Sequence, residues 1–169
     1  MPPSQIRVES AADKSQIREL HRLAFGGEAE GRLVDALREG GYTRLSLVAE
    51  AAGEIVGHLL FSRLPIRTPA GTVEALALAP VAVRPDYQRQ GIGSRLIREG
   101  LRRCREQGHR IVVVLGHPEY YPRFGFSARL AEPLRCAYSG PALMALELEP
   151  GTLAGIAGEL EYPPPFRDV

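Results

Sequence analysis

Residues 76–107, LALAPVAVRPDYQRQGIGSRLIREGLRRCREQ, constrain this chain more than any other stretch. They read as a strand, a short polar turn carrying Gln88, Gly91 and Gly93, and a long helix that starts at the glycines. The first turn of a helix leaves backbone N–H groups without intrahelical partners, and the aligned peptide dipoles add partial positive charge there. Glycines at 91 and 93 remove the Cβ atoms that would hold an anion off those amides, so the junction reads as a phosphate-binding turn.

Two glycine-rich alternatives fail on spacing. A GxGxxG dinucleotide fingerprint would need glycine where Leu96 stands, and a P-loop needs a lysine, whereas Lys14 is the only one in the chain. What remains is Q-x-x-G-x-G over residues 88–93. Eight arginines against Asp86, Glu99 and Glu106 between positions 84 and 110 suit a ligand with several phosphates. The formal charge of the whole chain is only +1, which argues against nucleic acid or an acidic membrane surface as partner. The arginine helix also lacks the aromatic interleaving of a nucleic-acid binder.

The remainder reads as one α/β (α+β) domain of 169 residues. Ile6 and Val8 alternate with polar neighbours as a first strand. Ser10 and Asp13 open a helix with a stripe of Ile17, Leu20, Leu23 and Ala24 that stops at Gly26-Gly27, and Leu33, Val34 and Leu37 mark a second helix ended by Gly40-Gly41. Residues 45–64 form a hairpin turning at Ala52-Gly53, closed by Pro65 and the cluster at 68–71. In the strand at 73–83 the large residues shift from even positions (Leu76, Leu78) to odd ones (Val81, Val83) across Ala79-Pro80, which predicts a β-bulge and a disturbed neighbouring pairing. Ile92, Leu96, Ile97, Leu101 and Cys104 line one face of the long helix, with Cys104 a small core residue. The run IVVVL at 111–115 reads as a central strand covered on both faces. Pro122 limits any helix near it to one irregular turn, and a short strand is expected to start at Phe126. Residues 142–148 read as the last main strand, followed by a proline-rich extended arm from 150 onward. Cys104 and Cys136 show no metal-ligand spacing, and no leader-like segment or apolar run of spanning length is visible, so a cytoplasmic chain is expected.

VAVRPDYQRQGIGSRLI resembles the acetyl-coenzyme A signature of the GCN5-related N-acetyltransferases, and VVVLGHPEYYPRFGF resembles the second half of the same site. The latter wording is also similar to a predicted-acetyltransferase subgroup. The resemblance implies a mixed, mostly antiparallel sheet flanked by helices, with two central strands splayed around the pantetheine arm of acetyl-CoA. By that resemblance Val81, Ala82 and Val83 offer backbone to the pantetheine. Gln88, Arg89, Gln90, Gly91, Ile92, Gly93 and Ser94 surround the diphosphate, and His117 stands at a cofactor-side position where many relatives carry asparagine.

The implied activity is acetyl transfer to an amine of a small molecule or a protein, by a monomer or homodimer. No Cys/His nucleophile pair is visible, which suits direct attack. Tyr121 matches the position that protonates the leaving sulfur. An unperturbed tyrosine near ~10 and a thiol near ~8.5 make full proton transfer uphill by about 2 kcal/mol, so Tyr121 serves better as a hydrogen-bond donor. Glu74, through a water, and His117 are alternative general bases. His21, His58 and His109 read as structural or exposed. A non-catalytic acyl-CoA-binding sensor is the competing reading.

Overall fold

The computed structural model describes residues 5–168. Residues 1–4, part of the stretch read above as having no leader character, lie outside them. The chain falls into two compact units, one from Met1–Phe61, Pro80–Gly100 and Pro164–Val169, the other from Ser62–Ala79 and Leu101–Pro163.

In the first unit, β1 (Gln5–Val8) pairs antiparallel with β2 (Thr43–Ala51), placing Ile6 opposite Ala49. Two helices separate them in sequence. The Asp13 carboxylate accepts from the Ser10 N–H at 2.7 Å, which sets the entry to α1 (Lys14–Phe25), and Gly26 ends it at φ +78°. Its buried stripe is Ile17, Leu20 and His21; Leu23, expected on that stripe, is 42% exposed, and His21 takes the inward place one turn after Ile17. In α2 (Ala29–Glu39), Leu33, Val34 and Leu37 are buried, and the helix closes at Gly40 as its spacing predicts.

β2 turns into β3 (Glu54–Thr68) through Ala52 at φ +51° and Gly53 at φ +77°, the two positive φ values that a two-residue hairpin needs. The strand order here is β1-β2-β3-β4, where β4 is Gly71–Val83. The first part of α3 (Ile92–Glu106) lies close against β3 because Gly57 has no side chain: a Cβ there would come within 2.8 Å of Leu96 and 3.2 Å of Ile92. Leu47, Leu59, Leu96 and Ile97, each fully buried, fill this core and contribute roughly 1.5–3 kcal/mol apiece.

In the second unit, β4 pairs parallel with β5 (Ile111–Leu115) at Leu76↔Val112 and Ala77↔Val113, and β5 pairs antiparallel with β7 (Leu143–Glu147) along all five residues. Val112 and Val113 are fully buried, which explains the unbroken apolar run. Cys104 is a buried core residue whose thiol burial pushes up to about 12.

Three expectations are corrected. β3 continues through Pro65 to Thr68, because its Ile66 and Arg67 pair with a strand from the tail, β8 (Gly158–Leu160), and the Glu161 N–H bonds the Pro65 carbonyl at 2.9 Å. Phe126 starts no strand: Ser127 makes a single bridge to Ala145, then its hydroxyl accepts from Leu130 to open the short helix α4 (Ala128–Ala131). After β7 the short β8 also pairs parallel with β6 (Leu134–Arg135), and the prolines lead into a 3-10 turn, Pro164–Asp168, in place of an extended arm. Proline's fixed φ suits the first turn of such a helix. In β4 every residue from Ala75 to Leu78 is buried, and beyond them Pro80 and Ala82 are buried while Ala79, Val81 and Val83 are half-buried.

Candidate functional site

β3 accompanies β4 to its end, where the Arg84 N–H donates to the Val56 carbonyl at 2.8 Å. Arg84 then organises the chain leaving the sheet. Its guanidinium donates twice to Asp86 (2.7 and 2.8 Å) and once to Glu54 of β3 (2.8 Å), and lies 4.9 Å from the centre of the Tyr87 ring. Gln88, read in the sequence as a diphosphate contact, turns its side-chain amide back onto the Val83 carbonyl at 2.9 Å. Its side chain thus holds the shape of the turn. Sequence reading did not single out Arg84; the acids at 54 and 86 that engage it lie on different elements, and only the fold brings them to it.

Arg89 at φ +63° and Gly91 at φ +84° are left-handed, with Gln90 between them. Left-handed residues alternating in a turn direct successive N–H groups to one side, a concavity suited to an anion. For arginine that conformation costs roughly 1–2 kcal/mol, which a turn keeps only where its surroundings or function require it. A Cβ at Gly91 would meet nothing within 4 Å, so the approach to the turn is open. The Arg95 N–H donates to the Gly91 carbonyl at 3.0 Å, so the amides of residues 92–94 precede the first helical bond of α3. Ile92 is buried and anchors this turn, Gly93 and Ser94 are half-buried, and residues 88–91 are exposed.

Val81 and Val83 are half-buried and Ala82 is buried at the end of β4. β4 runs on to Val83, and Leu115 at the end of β5 is 46% exposed.

The second unit carries the other candidates. After β5, the His117 carbonyl accepts from the N–H groups of Tyr120 and Tyr121 at 3.1 and 3.3 Å, starting the 3-10 turn Tyr121–Phe124 that Pro122 was expected to permit. The Tyr121 ring lies over Gly116, where a Cβ would stand 2.8 Å from the ring's Cδ2, and meets the rings of Tyr120 and Phe126 edge-on at 5.2 and 5.8 Å. Burial, with Tyr120 beside it, pushes the Tyr121 phenol up to about 12. Arg123 covers the Tyr120 ring at 4.5 Å. The His117 side chain is exposed. Glu74 is exposed too, and both its oxygens accept from Arg63 at 2.9 Å. A separate cavity of about 420 Å³ lined by Ala128, Ala131, Leu134, Ser139 and Leu143 contains none of the expected site residues.

Residues 5–129 match the sequence model of the Acetyltransferase (GNAT) domain. The chain belongs to the GCN5-related N-acetyltransferase family and is by class an N-acetyltransferase. It is 38% identical over 160 residues to the uncharacterized N-acetyltransferase YhbS of Escherichia coli K12, covering 93% of this chain and 95% of that protein. The crystal structure of Escherichia coli YhbS in complex with CoA superposes with a TM-score of 0.92 at 35% identity, covering 99% of this chain and 93% of the other. A GNAT family acetyltransferase from Brucella melitensis in complex with acetyl-CoA superposes with a TM-score of 0.82 at 35% identity, covering 98% and 99%. Among the described residues no helix is long and apolar enough to cross a membrane.

Proposed function

We propose that this chain transfers the acetyl group of acetyl-CoA directly to an amine of a small molecule or a protein. The observation that carries this reading is the turn at residues 88–94, whose two left-handed residues and helix start form an open anion cradle at the end of β4. Acetyl-CoA supplies the activated thioester and a thiolate leaving group. The turn amides and the Arg89 guanidinium meet its diphosphate, and the backbone of Val81, Ala82 and Val83 pairs with the pantetheine as an added strand. An N–H near Val81 or Ala82 faces the negative charge that develops on the reacting carbonyl oxygen.

Tyr121 donates a hydrogen bond to the departing sulfur. With its phenol near 12 and a thiol near ~8.5, handing over the proton would be uphill by roughly 5 kcal/mol, so the burial that holds Tyr121 protonated makes it a donor and not an acid. Of the two base candidates, Glu74 has both oxygens on Arg63, whereas the exposed His117 opens the turn that carries Tyr121; the reading gives the base to His117, acting through a water.

The test is acetyl-CoA binding by calorimetry together with thiol release against a panel of amines. Failure to bind acetyl-CoA sinks the reading, and binding without thiol release from any amine replaces it with a sensor. Tyr121→Phe is expected to lower kcat about tenfold with acetyl-CoA affinity unchanged, and equal loss of both would make Tyr121 a packing residue. His117→Ala is expected to lower kcat with cofactor binding intact.

A further inference from the structure

His21 and His58, which the proposed reaction does not use, are both fully buried. His21 Nε2 lies 2.8 Å from His58 Nδ1, and His58 Nε2 lies 2.8 Å from the Ser46 hydroxyl on β2. Ser46 in turn donates to the carboxylate of Glu9, just past β1, and Arg38 of α2 pairs with the other Glu9 oxygen at 2.8 Å. One polar chain therefore joins α1, β3, β2, the end of β1 and α2.

The carboxylate end dictates every proton position in the chain. An ionised Glu9 only accepts, so the single Ser46 O–H points to it. Ser46 must then accept from His58 Nε2–H, which leaves His58 Nδ1 bare to accept from His21 Nε2–H. His21 Nδ1 is left as an acceptor, buried and without a hydrogen-bond partner among the described residues. Both imidazoles are thus neutral Nε2–H tautomers. A second proton on His58 could sit only on Nδ1, where it would face the Nε2–H of His21 across 2.8 Å unless His21 moved its own proton to Nδ1, which has no acceptor among the described residues. On His21 it would sit on Nδ1, which has no acceptor to receive it.

The surrounding charges favour the neutral pair. Arg38, held by Glu9 and Asp35, opposes added positive charge. Glu9, 3.8 Å from His58 Nε2, pulls the other way, and Arg18 beyond is itself paired with Asp35 and Glu28. Burial, then His58 and Arg38, bring His21 down to about 3, and burial lowers His58 despite Glu9. Burial pushes Glu9 up, but His58, Ser46 and Arg38 outweigh it and hold it near 2, so the chain is a poor sink for a proton taken from a substrate.

We propose that the Glu9–Ser46–His58–His21 chain is an acid-sensitive latch fastening α1 and α2 to β2 and β3, closed while both imidazoles are neutral. Opening frees the histidines to titrate at their ordinary value near ~6.5, whereas closing holds them neutral. The closed state is therefore fully favoured above pH 6.5 and loses ground as pH falls. Each histidine makes opening about 25-fold easier at pH 5 than at pH 7. The inference does not depend on the proposed acetyl acceptor or cofactor contacts.

Imidazole ¹⁵N NMR and amide hydrogen exchange on the wild-type protein test it. Expected are two Nε2–H tautomers at pH 7, no imidazole titration from either ring above pH 5, and exchange in α1 and α2, corrected for intrinsic rate, rising at least about 25-fold more than in β5 and β7 between pH 7 and pH 5. Either ring titrating near 6.5, an Nδ1–H tautomer, or an acid response that is absent or uniform across the molecule would overturn the latch. The double variant His21→Phe/His58→Leu should abolish the selective response, and the wild-type measurements decide the matter if that variant does not fold.

Discussion

The chain from Glu9 to His21 and the turn from Arg84 to Ser94 belong to the same unit and spend similar polar side chains on opposite ends. Inside, Glu9, Ser46, His58 and His21 are each matched to the next, and the ionised end fixes which nitrogen carries which proton. At the turn, Arg84 is matched to neighbouring acids and Gln88 to the Val83 carbonyl, while residues 88–91 are exposed and Arg89 and Gly91 are left-handed. The difference follows from water. A buried polar group left unmatched costs about 1–3 kcal/mol, so an interior chain must close on itself, whereas a solvated turn can keep donors open for a ligand.

Removing a link from the interior chain should have the largest effect. His58→Ala leaves Ser46 and His21 unmatched around a new cavity and should cost about 3–5 kcal/mol in urea unfolding, with little change in unfolding if the chain were ornamental. At the turn, Gly91→Val forces a β-branched residue to φ +84° and fills the open approach; acetyl-CoA affinity should fall about 100-fold in calorimetry, a loss near 2.7 kcal/mol, with a smaller drop in stability.

Acid should separate the two regions next. The depressed titration of His21 contributes stability that is present above pH 6.5 and lost as pH falls, by about 2 kcal/mol at pH 5 in urea midpoints, and the depressed Glu9 adds a further loss below pH 4.5. Gly91→Val should leave that acid response unchanged; a response that disappears with it would erase the distinction. The smallest change should be Arg89→Gly, which relieves the left-handed arginine for a gain of about 0.5 kcal/mol in stability while weakening acetyl-CoA binding a few-fold. Unchanged binding would remove Arg89 from the diphosphate contacts.

Much of the fold was legible because its signals are local. Ala52-Gly53, Gly26 and Gly41 announce turns and helix ends through the backbone angles they permit, and the stripe on α3 follows its period. The Q-x-x-G-x-G turn was legible for the same reason. Leu23 and His21 show where local reading fails: both fit a helical stripe, and only contact with β3 shows that the histidine points inward. Gln88 was legible as part of the site but not as a brace, since its partner carbonyl depends on how the turn curls.

The sequence by itself determined the helix and strand segments of the core, the glycine turn at 88–94 and the tyrosine turn at 121–126, all of which arise from neighbours a few positions apart. Tertiary structure alone decided that the tail supplies β8 to pair with β3, that Arg63 occupies Glu74, and that His21 meets His58 across 37 positions of sequence. Those outcomes depend on which surfaces the folded chain brings together, and a buried polar group takes the partner it finds there because leaving it without one costs more than the match.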